Sequence, residues 1–251
     1  QIENINTFHG DGLNCIPESS ADNIVLYADP DRRGKDGRRL VDPESMSPPW
    51  SSLRELAKQG HSLIIKFSPL HDLKRLISEH PQADAIHLTE FNGECKEILA
   101  EWQAPPDRRS RLFIHREEQT IKLDIKQIHS AAPEIAAEPS SFLFIPSPAL
   151  MKAGPWDWFC RKYKINKLAS NTHIFTSTEP KPGFPGRQFR LLQPFHKRIG
   201  LKAATVISLN HPLSAKQIRE RYRLMEDESI CLIAFRDGGG KSKMWIAEKH
   251  I

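Results

Sequence analysis

The sequence predicts an α/β first half followed by an α+β second half, and three observations carry that reading. Two apolar runs, residues 23–29 and 61–67, have the composition of parallel strands covered on both faces. Apolar residues at helical spacing lie between them, as a β-α-β unit requires. The third observation is charge: residues 1–105 hold 11 Lys+Arg against 17 Asp+Glu, whereas residues 106–251 hold 25 against 14. Such an asymmetry points to two modules, with an anionic partner expected at the carboxyl-terminal one, although a solvated basic surface has the same signature.

In the first half, Trp50, Leu53, Leu56 and Ala57 recur at helical spacing, and Gly60 stands where a helix stops. After the second run, Ser68-Pro69 reads as an N-cap and first-turn proline ahead of Leu70, Leu73, Leu76 and Ile77. Residues 85–89 and 95–102 flank Asn92-Gly93, the turn dipeptide of an antiparallel hairpin. The sheet is therefore expected to be mixed, with an antiparallel strand near one edge.

In the second half, residues 142–145 and 172–176 read as strands. Ala149, Ala153, Trp156, Phe159 and Tyr163 form a helical stripe broken at Gly154-Pro155. A Pro/Gly-rich stretch, 179–186, reads as a linker to a last piece containing strands at 189–192 and 203–209. Ser214 and Gln217 make a capping box and Leu213 with Ile218 a hydrophobic staple, so a helix starts at Ser214. Its inner face is Ile218, Tyr222 and Met225, and Lys216, Arg219 and Arg223 point outward, the two arginines as candidates for phosphate contacts. A hairpin over 230–235 and 244–247 closes the chain around Gly238-Gly-Gly240.

The composition, 39% hydrophobic and 8% aromatic, suits a globular chain with a sizeable core and excludes disorder. No stretch approaches the ~18 apolar residues of a membrane span, and the opening residues lack a secretory pattern, so a cytoplasmic location is expected. The first residue is Gln rather than Met, and a preceding portion is expected. The four cysteines lie far apart with no zinc-ligand spacing, so no metal site is predicted. Trp156 and Trp158, beside Arg161, Lys162 and Lys164, suit either base stacking or packing on a sheet, the latter being the commoner use.

The most informative stretch is Tyr27-Ala-Asp-Pro-Asp-Arg-Arg33, which closes a strand with a polar turn, and ligands of open α/β sheets bind at the carboxyl ends of strands. Asp29, fixed by Pro30, can accept a hydrogen bond from a substrate amine or hydroxyl, and Arg32 with Arg33 can clamp a phosphate or carboxylate. A plain Asp-Pro-Asp turn is the simpler reading of the same residues. Phe8-His-Gly-Asp-Gly12 follows a short segment read as a strand, so Asp11 can hydrogen-bond a nucleoside, though Gly-Asp-Gly is also ordinary turn chemistry.

Taken in order, Phe8-His-Gly-Asp-Gly12, Asp29-Pro-Asp-Arg-Arg33, Lys66-Phe-Ser-Pro69 and Gly93-Glu-Cys-Lys-Glu97 resemble class I S-adenosylmethionine-dependent methyltransferases that carry ferredoxin-like and THUMP-like carboxyl-terminal domains. The segments at 142–154, 171–177 and 202–214 extend the resemblance over nearly the whole chain. It implies the carboxyl-terminal half of a Rossmann-like methyltransferase sheet over residues 1–105, a hairpin or connector over 106–137, a ferredoxin-like domain over 138–180 and a THUMP-like domain over 187–251. It implies S-adenosylmethionine as cofactor, with strand three ending at Asp11 and Asp11 and Gly12 near the adenine. Asp29 and Pro30 would open the fourth-strand motif that faces the methyl acceptor, with Arg32 and Arg33 docking the substrate. The aromatic residue of the amino-group methyltransferases is absent there, and Asp31-Arg32-Arg33 stands in its place. The glycine-rich loop after strand one and the acidic residue after strand two have no counterpart in the 251 residues. RNA is the substrate class implied by the THUMP-like part. The alternative is a nucleic-acid-binding module whose methyltransferase part is degenerate.

Overall fold

The computed structural model describes residues 4–16, 24–31, 33, 37, 43–59, 61–107, 109–129 and 132–250. The chain divides into two compact units, Gln1–Asp124 and Ile125–Ile251. The charge asymmetry follows that boundary, with 16 Lys+Arg against 21 Asp+Glu in the first unit and 20 against 10 in the second.

The first unit contains β1 (Val25–Ala28), α1 (Trp50–Lys58), β2 (Ser62–Phe67), α2 (Leu73–Glu79), β3 (Ala85–Phe91), β4 (Glu94–Trp102), β5 (Arg111–Arg116) and β6 (Gln119–Asp124). These strands form one sheet in the order β1-β2-β4-β3-β5-β6. β1 runs parallel to β2 and β3 to β5, while β4 is antiparallel to both of its neighbours. The strand after the predicted hairpin, β4, lies inside the sheet because the turn after Phe91 folds it back between β3 and β2, and the antiparallel strand at the edge is β6, paired with β5. Asn92 and Gly93 both adopt positive φ at that turn, which is what the dipeptide supplies.

The strands are not covered on both faces as their composition suggested. Leu63, Ile65 and Phe67 of β2 are buried, whereas Ile64 and Lys66 between them are half-buried. One face carries the core, with Leu53, Leu76, Ile86, Leu88, Ile98, Ala100, Leu112 and Ile114 all nearly inaccessible. The helix expected from Ser68 starts later. Ser68 Oγ only accepts the Leu70 N–H, and Asp72 is the N-cap, its side chain accepting from Arg75 N at 2.7 Å. The predicted stop at Gly60 lies outside the described residues. No strand ends at Asp11, which instead caps a 3-10 turn over Gly12–Cys15 by accepting the Leu13 N–H at 3.0 Å. A short carboxylate two residues before a free N–H favours that local bond over a ladder.

The second unit contains β7 (Phe142–Pro146), α3 (Pro148–Ala153), α4 (Trp156–Tyr163), β8 (Asn166–Ala169), β9 (Thr172–Ser177), β10 (Gly186–Pro194), β11 (Thr205–Leu209), α5 (Ala215–Tyr222), β12 (Ile230–Arg236) and β13 (Ser242–His250). Its sheet has the order β11-β12-β13-β10-β7-β9-β8. Residues 179–186 therefore turn the chain within one sheet instead of separating two. β10 pairs with β7 along one edge and with β13 along the other, joining the segment before residue 186 and the terminal segment in one sheet.

Gly154, at φ 64°, ends α3 and lets α4 restart after Pro155, as the broken stripe predicted. Trp156 stacks on His173 with centroids 4.6 Å apart and leans on Phe175, so it packs against the sheet. The capping box at Ser214 is present. The inner face of α5 differs at its end: Met225 is 65% exposed and Leu224 is buried in its place. Arg223 leaves the helix in the left-handed region, φ 53°, so the 3.6-residue period no longer applies beyond it. Among the described residues no helix is long and apolar enough to cross a membrane.

Candidate functional site

The parallel pairing of β1 with β2 sets Val25 beside Ser62 and Ala28 beside Ile65, so both strands end on the same side. That register delivers Asp29, just past β1, to Lys66 on β2, with Nζ and Oδ2 2.7 Å apart. Glu97 on β4 lies 3.9 Å from the same ammonium. The hydrogen bond to Asp29 raises the Lys66 pKa above the ordinary lysine value, despite partial desolvation. Tyr27 is also raised, first by desolvation and then by the Glu97 charge.

A cavity of about 640 Å³ opens beside β1, within the usual range for small-molecule sites. One wall is the Gly10–Leu13 segment, the second is Leu26 to Asp29, and α1 contributes Leu53 and Leu56. Asp11 and Gly12 therefore meet Asp29 across one space, although a turn and not a strand presents Asp11. The wall between them is polar and apolar in nearly equal parts, with Ile16 and Leu63 on its apolar side. Such a lining suits a flat ring with polar atoms at its edge, for which Asp11 and Asp29 are acceptors.

The other sequence candidates are placed differently. Pro30 is buried and faces a smaller cavity of about 30 Å³ shared with Met46, Trp50 and His71. Asp31 bridges Ser47 by two backbone hydrogen bonds of 2.8 and 3.1 Å, and its side chain accepts the Arg33 N–H. That bridge brings Ser47 and Pro48 to the cavity rim. Arg33 is exposed and does not line the cavity, and Arg32 lies outside the described residues. Arg219 and Arg223 belong to the second unit, where Arg219 is ion-paired to Glu226 at 2.7 Å and Arg223 is exposed at the end of α5. Sequence reasoning missed Lys66 and Ser47 as neighbours of the Asp29 turn. Only the strand register and the Asp31–Ser47 bridge reveal them.

A family model for a ferredoxin-like domain matches residues 142–185. That segment runs from β7 through α3, α4, β8 and β9 to the turn before β10. No curated protein matches the chain. Among solved structures, a Porphyromonas gingivalis W83 protein provisionally named a methyltransferase is similar, with a TM-score of 0.78 and 22% identity over 90% of this chain. The likeness covers 60% of that protein, so this chain spans little more than half of it. At this identity the likeness establishes a shared fold.

Proposed function

We propose that the chain is part of an S-adenosylmethionine-dependent methyltransferase acting on RNA or another anionic substrate. The observation that carries the reading is the cavity beside β1, where Asp11 and Gly12, matched to the cofactor side, face Asp29, matched to the acceptor side. The order β1-β2-β4-β3, with β4 reversed inside the sheet, supports the carboxyl-terminal half of a Rossmann-like methyltransferase sheet. So does the similarity to the named P. gingivalis protein.

The cavity fits the nucleoside end of the cofactor, since its apolar side accommodates a ring and the second carboxylate oxygen of Asp11 has no partner among the described residues and can meet an amine or hydroxyl. When bound, the cofactor supplies a methyl group on a positively charged sulfur. Asp29, held by Lys66, accepts a hydrogen bond from the acceptor group and orients it. Pro30 fixes the turn, and Arg33, which does not line the cavity, is assigned with Arg32 the anionic portion of a substrate that extends beyond the cavity. Positioning and exclusion of water carry most of such a transfer.

The sequence has no counterpart of the glycine-rich loop after strand one, so the chain alone should bind S-adenosylmethionine weakly. Saturation-transfer NMR detects binding of that strength. The expected result is transfer to the adenine protons that falls when Asp11→Asn is introduced. No transfer, or transfer indifferent to Asp11, would overturn the cofactor assignment. The same absent loop favours a second reading, a nucleic-acid-binding module with a degenerate first unit. Methylation of RNA by the chain, once joined to a segment that supplies the loop, would exclude it.

A further inference from the structure

The second unit has a cavity of its own, about 450 Å³, between the 3-10 turn Lys197–Ile199 and the last turn of α5. Phe195 and Tyr222 form its floor, their rings edge to face at 4.9 Å. Lys197, Arg221 and Arg223 stand around it. None of the three makes an ion pair among the described residues, in contrast to the other cations of this helix. Lys216 lies 3.9 Å from Glu220, and Arg219 is 2.7 Å from Glu226. Glu220 and Glu226 are thus committed to cations that do not line the cavity, and the three exposed positive charges around the hollow have no ion-pair partner among the described residues.

Complementing the negative end of the α5 dipole explains a basic residue or two in the last turn. It does not explain Lys197, which arrives from a separate segment at the opposite rim. Three cations sharing a cavity repel one another, and an anion seated between them removes that cost. Guanidinium groups match phosphate oxygens two at a time, while the lysine adds a point charge. The Tyr222 ring, with Arg221 5.9 Å from its centre, offers an aromatic surface beside the charges, as in sites that hold a nucleotide by phosphate and base together.

We propose that this cleft binds a phosphate group carried by a nucleotide or a polynucleotide, through Lys197, Arg221 and Arg223. The assignment deepens the RNA part of the functional reading and does not depend on methyl transfer, so either can fail without the other.

The test is fluorescence anisotropy of a labelled twelve-residue oligouridylate with the full chain, between low and physiological salt. Replacing Arg221 and Arg223 by alanine should weaken binding at least tenfold at low salt. It should also flatten the log–log salt dependence by about 1.4, at roughly 0.7 per phosphate contact for a single strand. Arg221→Ala with Arg223→Gly, which suits the left-handed backbone at 223, should do the same and guards against a folding defect. Removing the ion-paired Lys216 and Arg219 instead should cost less than twofold. Competition identifies the source: displacement by millimolar uridine monophosphate marks a mononucleotide site, and displacement only by longer oligomers marks a polynucleotide track. Equal losses from the two pairs of replacements, or no binding of oligomer or mononucleotide at low salt, would overturn the proposal.

Discussion

Lys66 holds Asp29 across the β1–β2 pair, ammonium to carboxylate at 2.7 Å, and both groups remain partly open to solvent. An ion pair so exposed contributes at most about 1 kcal/mol to folding. Its use is to keep one carboxylate pointing at one place.

Lys66→Met should therefore leave the melting temperature nearly unchanged and, on the proposed methyltransferase reading, lower transfer by the chain joined to a loop-supplying segment roughly ten- to a hundredfold, since misplacement of an orienting group costs on that order. Asp29→Asn should lower transfer comparably. Parallel melts and methylation assays check both, and a variant that melts early would mean the pair is structural.

His80 supplies a pH dependence. Its imidazole is surrounded by Trp50, Trp102 and Phe67, with centroids 4.3, 5.9 and 5.8 Å away, and burial pushes its pKa down to about 4. In the unfolded chain the ring titrates near 6.5. Between those values the unfolded state binds a proton that the native state refuses, so stability is full above about pH 6.5 and falls with acidification until the native ring titrates. At pH 5 the loss from this one group is about 2 kcal/mol. Urea unfolding at pH 7.5 and 5 should show that loss shrinking by about the same amount in His80→Phe.

Removing the cap of α5 by Ser214→Ala should destabilise the second unit by about 1 kcal/mol. The Ser214 hydroxyl accepts the Gln217 N–H at 3.2 Å, and the Gln217 side chain accepts the Ser214 N–H at 2.8 Å. Ser214→Asn, which can make the same bond, should restore most of the loss in a thermal melt.

Gly186→Ala should be worse. A Cβ there would lie 2.3 Å from the Ile145 carbonyl oxygen and 2.9 Å from Pro146 Cα, both backbone atoms of β7. Neither can rotate aside, so the strands must part, at a cost of about 3 kcal/mol. A denaturant midpoint within error of the wild type would show that β10 can slide here.

The legibility of these features follows how local their causes are. The β3–β4 hairpin and the Ser214 helix were readable because Asn92-Gly93 and Ser214 with Gln217 act within four residues of themselves. Asp29 was readable as a strand end. Its partner Lys66 was not, because 37 residues separate them and only the parallel register joins them. Residues 179–186 carry the Pro and Gly of a linker, and a turn inside a sheet has the same composition. Asp11 looked like a strand end because Gly-Asp-Gly is turn chemistry that follows a strand and opens a 3-10 turn alike.

That β10 has two partners bears on how this architecture could be shared among proteins. The segment matched by the ferredoxin-like family stops at 185, one residue short of the strand that closes it. Transplanted alone, it would carry β7 with the edge opposite β9 bare from Phe142 to Pro146, and Leu143, Phe144 and Ile145 are fully buried in the intact sheet. A bare apolar edge recruits whatever strand it meets. In this chain the family segment and β10 therefore form one pairing unit, and the segment cut off after residue 185 is expected to pair β7 with a copy of itself.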